Sequence, residues 1–128
     1  MLTPDIHITA TFAALFAIFH VIFTLRVGGY RFKSGISLGD GGDKELLNRI
    51  RAHGNFTEQV PMGLLILLLN ELNGVSESAL VAMGSVFLAA RLLHYIMIVT
   101  RSLPIILRPI SMMATLGTIL TGGVLLLL

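Results

Sequence analysis

Residues 51–72 read RAHGNFTEQVPMGLLILLLNEL, a polar stretch running directly into an apolar one. The apolar part, Val60–Leu69, would rise only about 15 Å as a helix, half of a bilayer core of roughly 30 Å. A crossing that ends at Leu72 needs roughly 20 residues, which carries the helix back to about Ala52. Asn55, Thr57, Glu58 and Gln59 must then sit at membrane depth. The competing reading is a buried or re-entrant helix. Arg51, Asn55 and Glu58 stand at i, i+4, i+7, one face of a helix, and Gln59 borders it.

Three further apolar stretches surround this one. Ile8–Leu25 is uncharged and contains His20, while Ser78–Thr100 and Pro109–Leu128 are each long enough to cross. The spans expected are therefore about 8–25, 52–72, 78–100 and 109–128, one domain over 1–128. The first span does not read as a signal peptide, having no basic residue before it and no small-x-small site after it. The fold class expected is all-α, an integral membrane four-helix bundle.

Composition agrees. Of 128 residues, 55% are hydrophobic and only 12% charged, against about 25% charged in a soluble domain. With a mean hydropathy of +0.88, this excludes a disordered chain, a nucleic-acid-binding arm and an ordinary water-soluble enzyme. There is no cysteine, hence no disulfide, thiolate nucleophile or cysteine metal site. No two histidines lie within one helical turn, so no metal site is expected.

Charge placement gives orientation. Arg26, Arg31, Lys33, Lys44, Arg49 and Arg51 lie between the first and second spans, and Arg101 and Arg108 between the third and fourth. The loop Asn70–Glu77 holds two acids and no base. Eight of nine Lys/Arg fall on one side, which the positive-inside rule makes cytoplasmic, with both termini outside. Tyr30–Asp43, rich in glycine, is expected to be a loop. Asp43 is placed to cap a helix that starts near Lys44 and enters the bilayer without a break.

Charged groups at membrane depth are costly and demand partners. Arg91, His94 and Tyr95 share one side of the third span, and Arg91 lies about 20 Å from its start. His20 and His94 each read more simply as hydrogen-bonded packing residues than as ligands. Pro61 removes a hydrogen bond to the Thr57 carbonyl and is expected to bend the second helix. Arg108-Pro109 reads as a helix start, and Gly117, Gly122 and Gly123 as sites of close helix packing. Glu58 and Arg91 lie equally far from the outer turn at position 74.5, as do Asn55 and His94. Equal depth predicts a Glu58–Arg91 ion pair, within one subunit or across an interface.

The run Arg51-Ala52-His53-Gly54-Asn55-Phe56-Thr57-Glu58-Gln59-Val60-Pro61 resembles the second-helix signature Arg-Ala-x-x-Asn-x-x-Glu-x-x-Pro of the MAPEG family, membrane-associated proteins of eicosanoid and glutathione metabolism. Four spans, a basic first loop and an arginine in the third span extend the resemblance over essentially the whole chain. The loop Leu38-Gly39-Asp40-Gly41-Gly42 and the run Arg91-Leu92-Leu93-His94-Tyr95 are similar to the short bacterial members, which implies a bacterial inner membrane. The resemblance implies a homotrimer with glutathione bound between subunits on the cytoplasmic side. It places Arg26, Arg51, Asn55, Glu58 and Arg91, with His94 and Tyr95 beside them, as glutathione-binding positions. It makes Arg108 the thiol-activating arginine, with Arg101 as competitor.

An arginine can stabilise a thiolate without taking the proton itself. Two carboxylates and an ammonium in glutathione suit two or three arginines plus one glutamate. Ile98 stands where the eicosanoid enzymes carry a tyrosine, and Gln59 where an aromatic is frequent. These departures point to a broad glutathione transferase or peroxidase acting on hydrophobic electrophiles, with no nucleic acid involved. Two other readings stay open: a non-catalytic protein binding a lipid or anionic metabolite, and a small proton-coupled exporter using Glu58.

Overall fold

The structure is a computed structural model that describes residues 5–100 and 102–128. Four helices account for it: α1 (His7–Ser34), α2 (Lys44–Leu72), α3 (Glu77–Thr100) and α4 (Leu107–Leu125). α2 packs on all three others and α3 also touches α1, while α1 and α4 share no contact among the described residues. α2 and α3 thus form the centre of the bundle, with α1 and α4 on its flanks.

By length and composition, α1 and α3 are apolar enough to cross a membrane. The polar first half of α2 lowers its average, yet the helix runs unbroken from Lys44 through Pro61 to Leu72. α4 has 19 residues, a rise of about 28 Å and close to a bilayer core. Its helix starts two residues earlier than the expected 109 and ends three before 128.

The expected loop from Tyr30 begins too early. α1 stays helical to Ser34 and stops at Gly35, whose φ of 70° is the left-handed C-cap that glycine adopts without strain. Tertiary bonds hold this last turn in place despite Gly28 and Gly29. Tyr30 donates its hydroxyl to Asp43 Oδ2 at 3.0 Å, and Arg31 Nη1 donates to the Gly39 carbonyl at 2.7 Å. The Arg49 guanidinium lies 4.7 Å over the Tyr30 ring and pairs with Glu45 at 2.6 Å.

Asp43 caps α2 as expected, accepting from the Glu45 and Leu46 amides at 2.8 and 3.0 Å. The Leu46 amide leads in holding this carboxyl below its ordinary range, and the Tyr30 hydroxyl and Glu45 amide assist. A depressed folded pKa means that the stabilisation is present above the unfolded value and is lost as pH falls through the folded one. Thermal unfolding in detergent should therefore show wild type ahead of Asp43→Asn at pH 6 and the two converging below about pH 4, near the ordinary Asp pKa. A gap of constant size down to pH 3 would rule out the ionised cap.

The N-terminal end of α1 has a cap that comes from another helix. Ile6, at the N-cap of α1, offers no side chain to the exposed amides. Glu71, one residue before the end of α2, supplies both oxygens instead, accepting from the Ile8 amide at 2.9 Å and the Thr9 amide at 2.7 Å. A carboxylate at a helix N-terminus also meets the positive end of the helix dipole.

Phe16 is the hinge of the core, tilted against both Phe56 and Phe87, and Phe23 packs edge-on to Phe56. Glycines let the helices close around these rings. A Cβ at Gly63 would lie 2.1 Å from Phe87, and one at Gly84 2.2 Å from Phe12. At Gly122 it would lie 2.4 Å from Ile66, so that glycine does serve close packing, but Gly117 and Gly123 have open space within this chain. Beside Gly122, Asn70 donates across to the Gly122 carbonyl at 3.0 Å and fastens α2 to α4.

Candidate functional site

The helical phase of α2 decides which polar residues meet. Its buried stripe is Ala52, Phe56, Val60, Gly63, Leu67 and Asn70. At 100° per residue, Arg51 and Glu58 fall on the opposite side, and both are exposed. Asn55 lies at the edge between the two.

The expected Glu58–Arg91 ion pair is not formed. Arg91 is fully buried and donates to Asn55 Oδ1 through Nη2 and to Thr115 Oγ1 through Nη1, at 3.1 Å for the latter. Rotation about the helix axis decides the partner: Glu58 lies on the exposed side of α2, whereas Asn55, one turn earlier in the helix, meets Arg91. Because Arg91 is sealed inside its own chain, a glutamate from a neighbouring subunit does not reach it either. His94 likewise does not face Asn55 as a bonded partner; its Nδ1 lies 3.0 Å from Ser111 Oγ on α4.

Two adjoining cavities open at the basic end of the bundle. One, of about 320 Å³, is lined by Arg51, Asn55, His94, Ile98, Arg108, Pro109 and Met112. The other, of about 480 Å³, shares Arg51, Ile98 and Arg108 and continues past Asn48, Leu103 and Ile105. Arg51 and Arg108 thus stand at the junction. Arg91 sits behind the first cavity, joined to its wall through Asn55. None of the three arginines has a carboxylate within 4 Å among the described residues, where the ion pairs are Arg49–Glu45 and His7–Asp5. Arg91 Nε lacks any hydrogen-bond partner. A buried guanidinium held only by neutral acceptors is expensive, and the cavity wall is rich in donors with no charge to balance them.

Sequence-predicted positions therefore divide. Arg51, Asn55, His94 and Arg108 come together, with Arg91 one bond away. Arg26 lies elsewhere, in a groove of about 570 Å³ between α1 and α2 with Tyr30, Lys33 and Arg49. Tyr95 is buried and stacked flat on Phe23, with centroids 3.5 Å apart, so its ring packs α3 against α1. Glu58 is on the outer side of α2, and Arg101 lies outside the described residues.

Sequence reasoning missed Ser111 and Thr115. Both are buried in α4, where they receive His94 and Arg91. Their i, i+4 spacing within an apolar run was the available signal. It also missed that His20 and His53, distant in sequence, approach to 5.3 Å between ring centroids.

Comparison with known proteins agrees with the arrangement. Residues 9–128 match the MAPEG family. Inner membrane protein YecN of Escherichia coli K12 is 36% identical over 88 residues, which cover 69% of this chain and 67% of YecN. YecN of E. coli O6:H1 matches to the same extent. A four-helix bundle with apolar helices of membrane-crossing length, matched over nearly its whole length, is thereby placed: this chain belongs to the MAPEG family of membrane proteins.

Proposed function

We propose that the protein binds glutathione in the cavity between α2, α3 and α4 and joins it, through its sulfur, to hydrophobic electrophiles that arrive from the bilayer. The observation that carries this reading is the pairing of Arg51 and Arg108 at one cavity, with Arg91 buried behind its wall and bonded to Asn55, and no carboxylate on any of the three among the described residues. Such a site lacks a dianionic ligand to complete it. Two carboxylates of glutathione supply the missing charge, and guanidinium forks suit them. A free thiol has a pKa of about 8.5, and a guanidinium beside it favours the thiolate. Arg108, exposed at the start of α4 and shared by both cavities, takes that role.

Glu58 and Arg26 lie outside this cavity within one chain. They complete the site in a homotrimer, where a neighbouring subunit's cavity faces them and Glu58 meets the ligand ammonium. Following YecN, the protein is assigned to the bacterial inner membrane, with the basic first and third loops in the cytoplasm.

Calorimetric titration of detergent-purified protein with glutathione tests the reading. Arg51→Ala should weaken binding tenfold or more, since a hydrogen bond to a charged group is worth about 1.5–3 kcal/mol. No heat of binding in wild type would overturn the proposal. One observation favours a second reading, the proton-coupled exporter: Glu58 is exposed and forms no ion pair among the described residues. Under that reading Glu58→Gln abolishes proton-driven efflux from vesicles and leaves glutathione without effect.

A further inference from the structure

We propose that His94, held in one tautomer by Ser111, takes the proton from the thiol bound beside Arg108. This rests on the glutathione reading above and adds to it a proton acceptor that an arginine cannot provide.

The argument follows the hydrogens. Ser111 is 1% exposed, and its hydroxyl donates to the Arg108 carbonyl at 2.8 Å. A serine hydroxyl has a single hydrogen. With that hydrogen on the carbonyl, Ser111 Oγ meets His94 Nδ1, 3.0 Å away, as an acceptor. Nδ1 therefore carries the ring hydrogen, and in a neutral imidazole the other nitrogen, Nε2, is then a bare lone pair. His94 lines the 320 Å³ cavity, and among the described residues Nε2 has no hydrogen-bond partner.

The rest of the polar wall consists of donors. Arg51 and Arg108 have no acceptor atom, and Asn55 Oδ1 is already taken by Arg91. Among the described residues, Nε2 is thus a free nitrogen acceptor on a wall that otherwise attracts negative charge. A ligand with carboxylates and one S–H presents the matching pattern: anionic oxygens for the arginines and one hydrogen for Nε2.

In the step itself the S–H bond breaks, sulfur keeps the electron pair, and the proton bonds to Nε2. The thiolate stands against a new imidazolium as well as Arg108. With an aryl chloride as electrophile, sulfur then bonds to the ring carbon and chloride leaves with its electron pair. The imidazolium returns its proton to water. The charged groups facing the ring are Arg91 on α3, Arg108 on α4 and Arg51 on α2, all cationic, and no carboxylate lines the cavity. The pH profile consequently belongs to the thiol–imidazole pair rather than to either group alone.

His94→Gln tests the step. Glutathione affinity, read by calorimetry at pH 6.5 where the free thiol is protonated, should fall far less than the rate does, because the arginines that hold the carboxylates remain. Single-turnover conjugation to chlorodinitrobenzene at pH 7 should fall about 100-fold, the lower range for losing a general base. The rate should then climb with pH as free hydroxide takes over. Should His94→Gln misfold, Ser111→Ala serves, since it leaves Nδ1 without its acceptor and releases the tautomer. Its pH–rate profile should shift while affinity holds. Wild-type rates and profiles in a variant that binds glutathione normally would overturn the role of His94 and leave the glutathione site standing. Absence of glutathione binding in wild type would remove both.

Discussion

Arg91→Met should leave the ligand-free protein at least as stable as wild type, and up to roughly 3 kcal/mol more so, while weakening glutathione binding by less than Arg51→Ala does, since Arg51 lines the cavity. Arg91 is fully buried with two neutral partners and an unbonded Nε. Removing a guanidinium held this way lifts a desolvation cost that nothing in the chain offsets. The partners suffer little. Thr115 still donates to the Ser111 carbonyl at 2.9 Å, and Asn55 borders a cavity where water reaches it. The lost charge is felt by the ligand instead. Thermal unfolding in detergent with and without glutathione separates the two effects. A fall of several kcal/mol without ligand would mean that the bonds to Asn55 and Thr115 outweigh the cost of burying the charge.

Gly63→Ala should destabilise the bundle by about 3 kcal/mol, the upper range for forcing one extra methyl into a packed core. Helix propensity alone predicts the opposite sign, since alanine is favoured over glycine by about 1 kcal/mol. Sterics win here because the new Cβ would lie 2.1 Å from the Phe87 ring. Phe16 packs on that ring with centroids 5.3 Å apart, which limits how it can turn aside. Adding Phe87→Leu to Gly63→Ala should recover part of the loss. Unfolding midpoints of the single and double variants check this, and an unperturbed single variant would contradict the packing.

How much of this could be read from the sequence depended on which geometric variable decided it. Helix existence and the Asp43 cap follow from local chemistry, and both were legible. So was the one-sided face of Arg51, Asn55 and Glu58, which needs only the helical repeat. Partnership was not, because it depends on the rotation of each helix about its axis as well as on depth. Glu58 has the wrong rotation, and Asn55 meets Arg91 instead. The true end of α1 escaped for a similar reason: Gly28-Gly29 suggests a break locally, but Asp43 and Gly39 hold the following turn from a distance. Gly63 and Gly84 escaped because a close approach between helices leaves no mark on either one alone.

The Glu71 cap has a consequence for how the chain enters its membrane. The leading amides of α1 find their acceptors on the far end of α2, a segment synthesised some sixty residues later. Until α2 has formed, this end of α1 presents bare donors. The two helices complete one another only as a pair, which makes the α1–α2 hairpin, rather than the single helix, the natural unit of insertion.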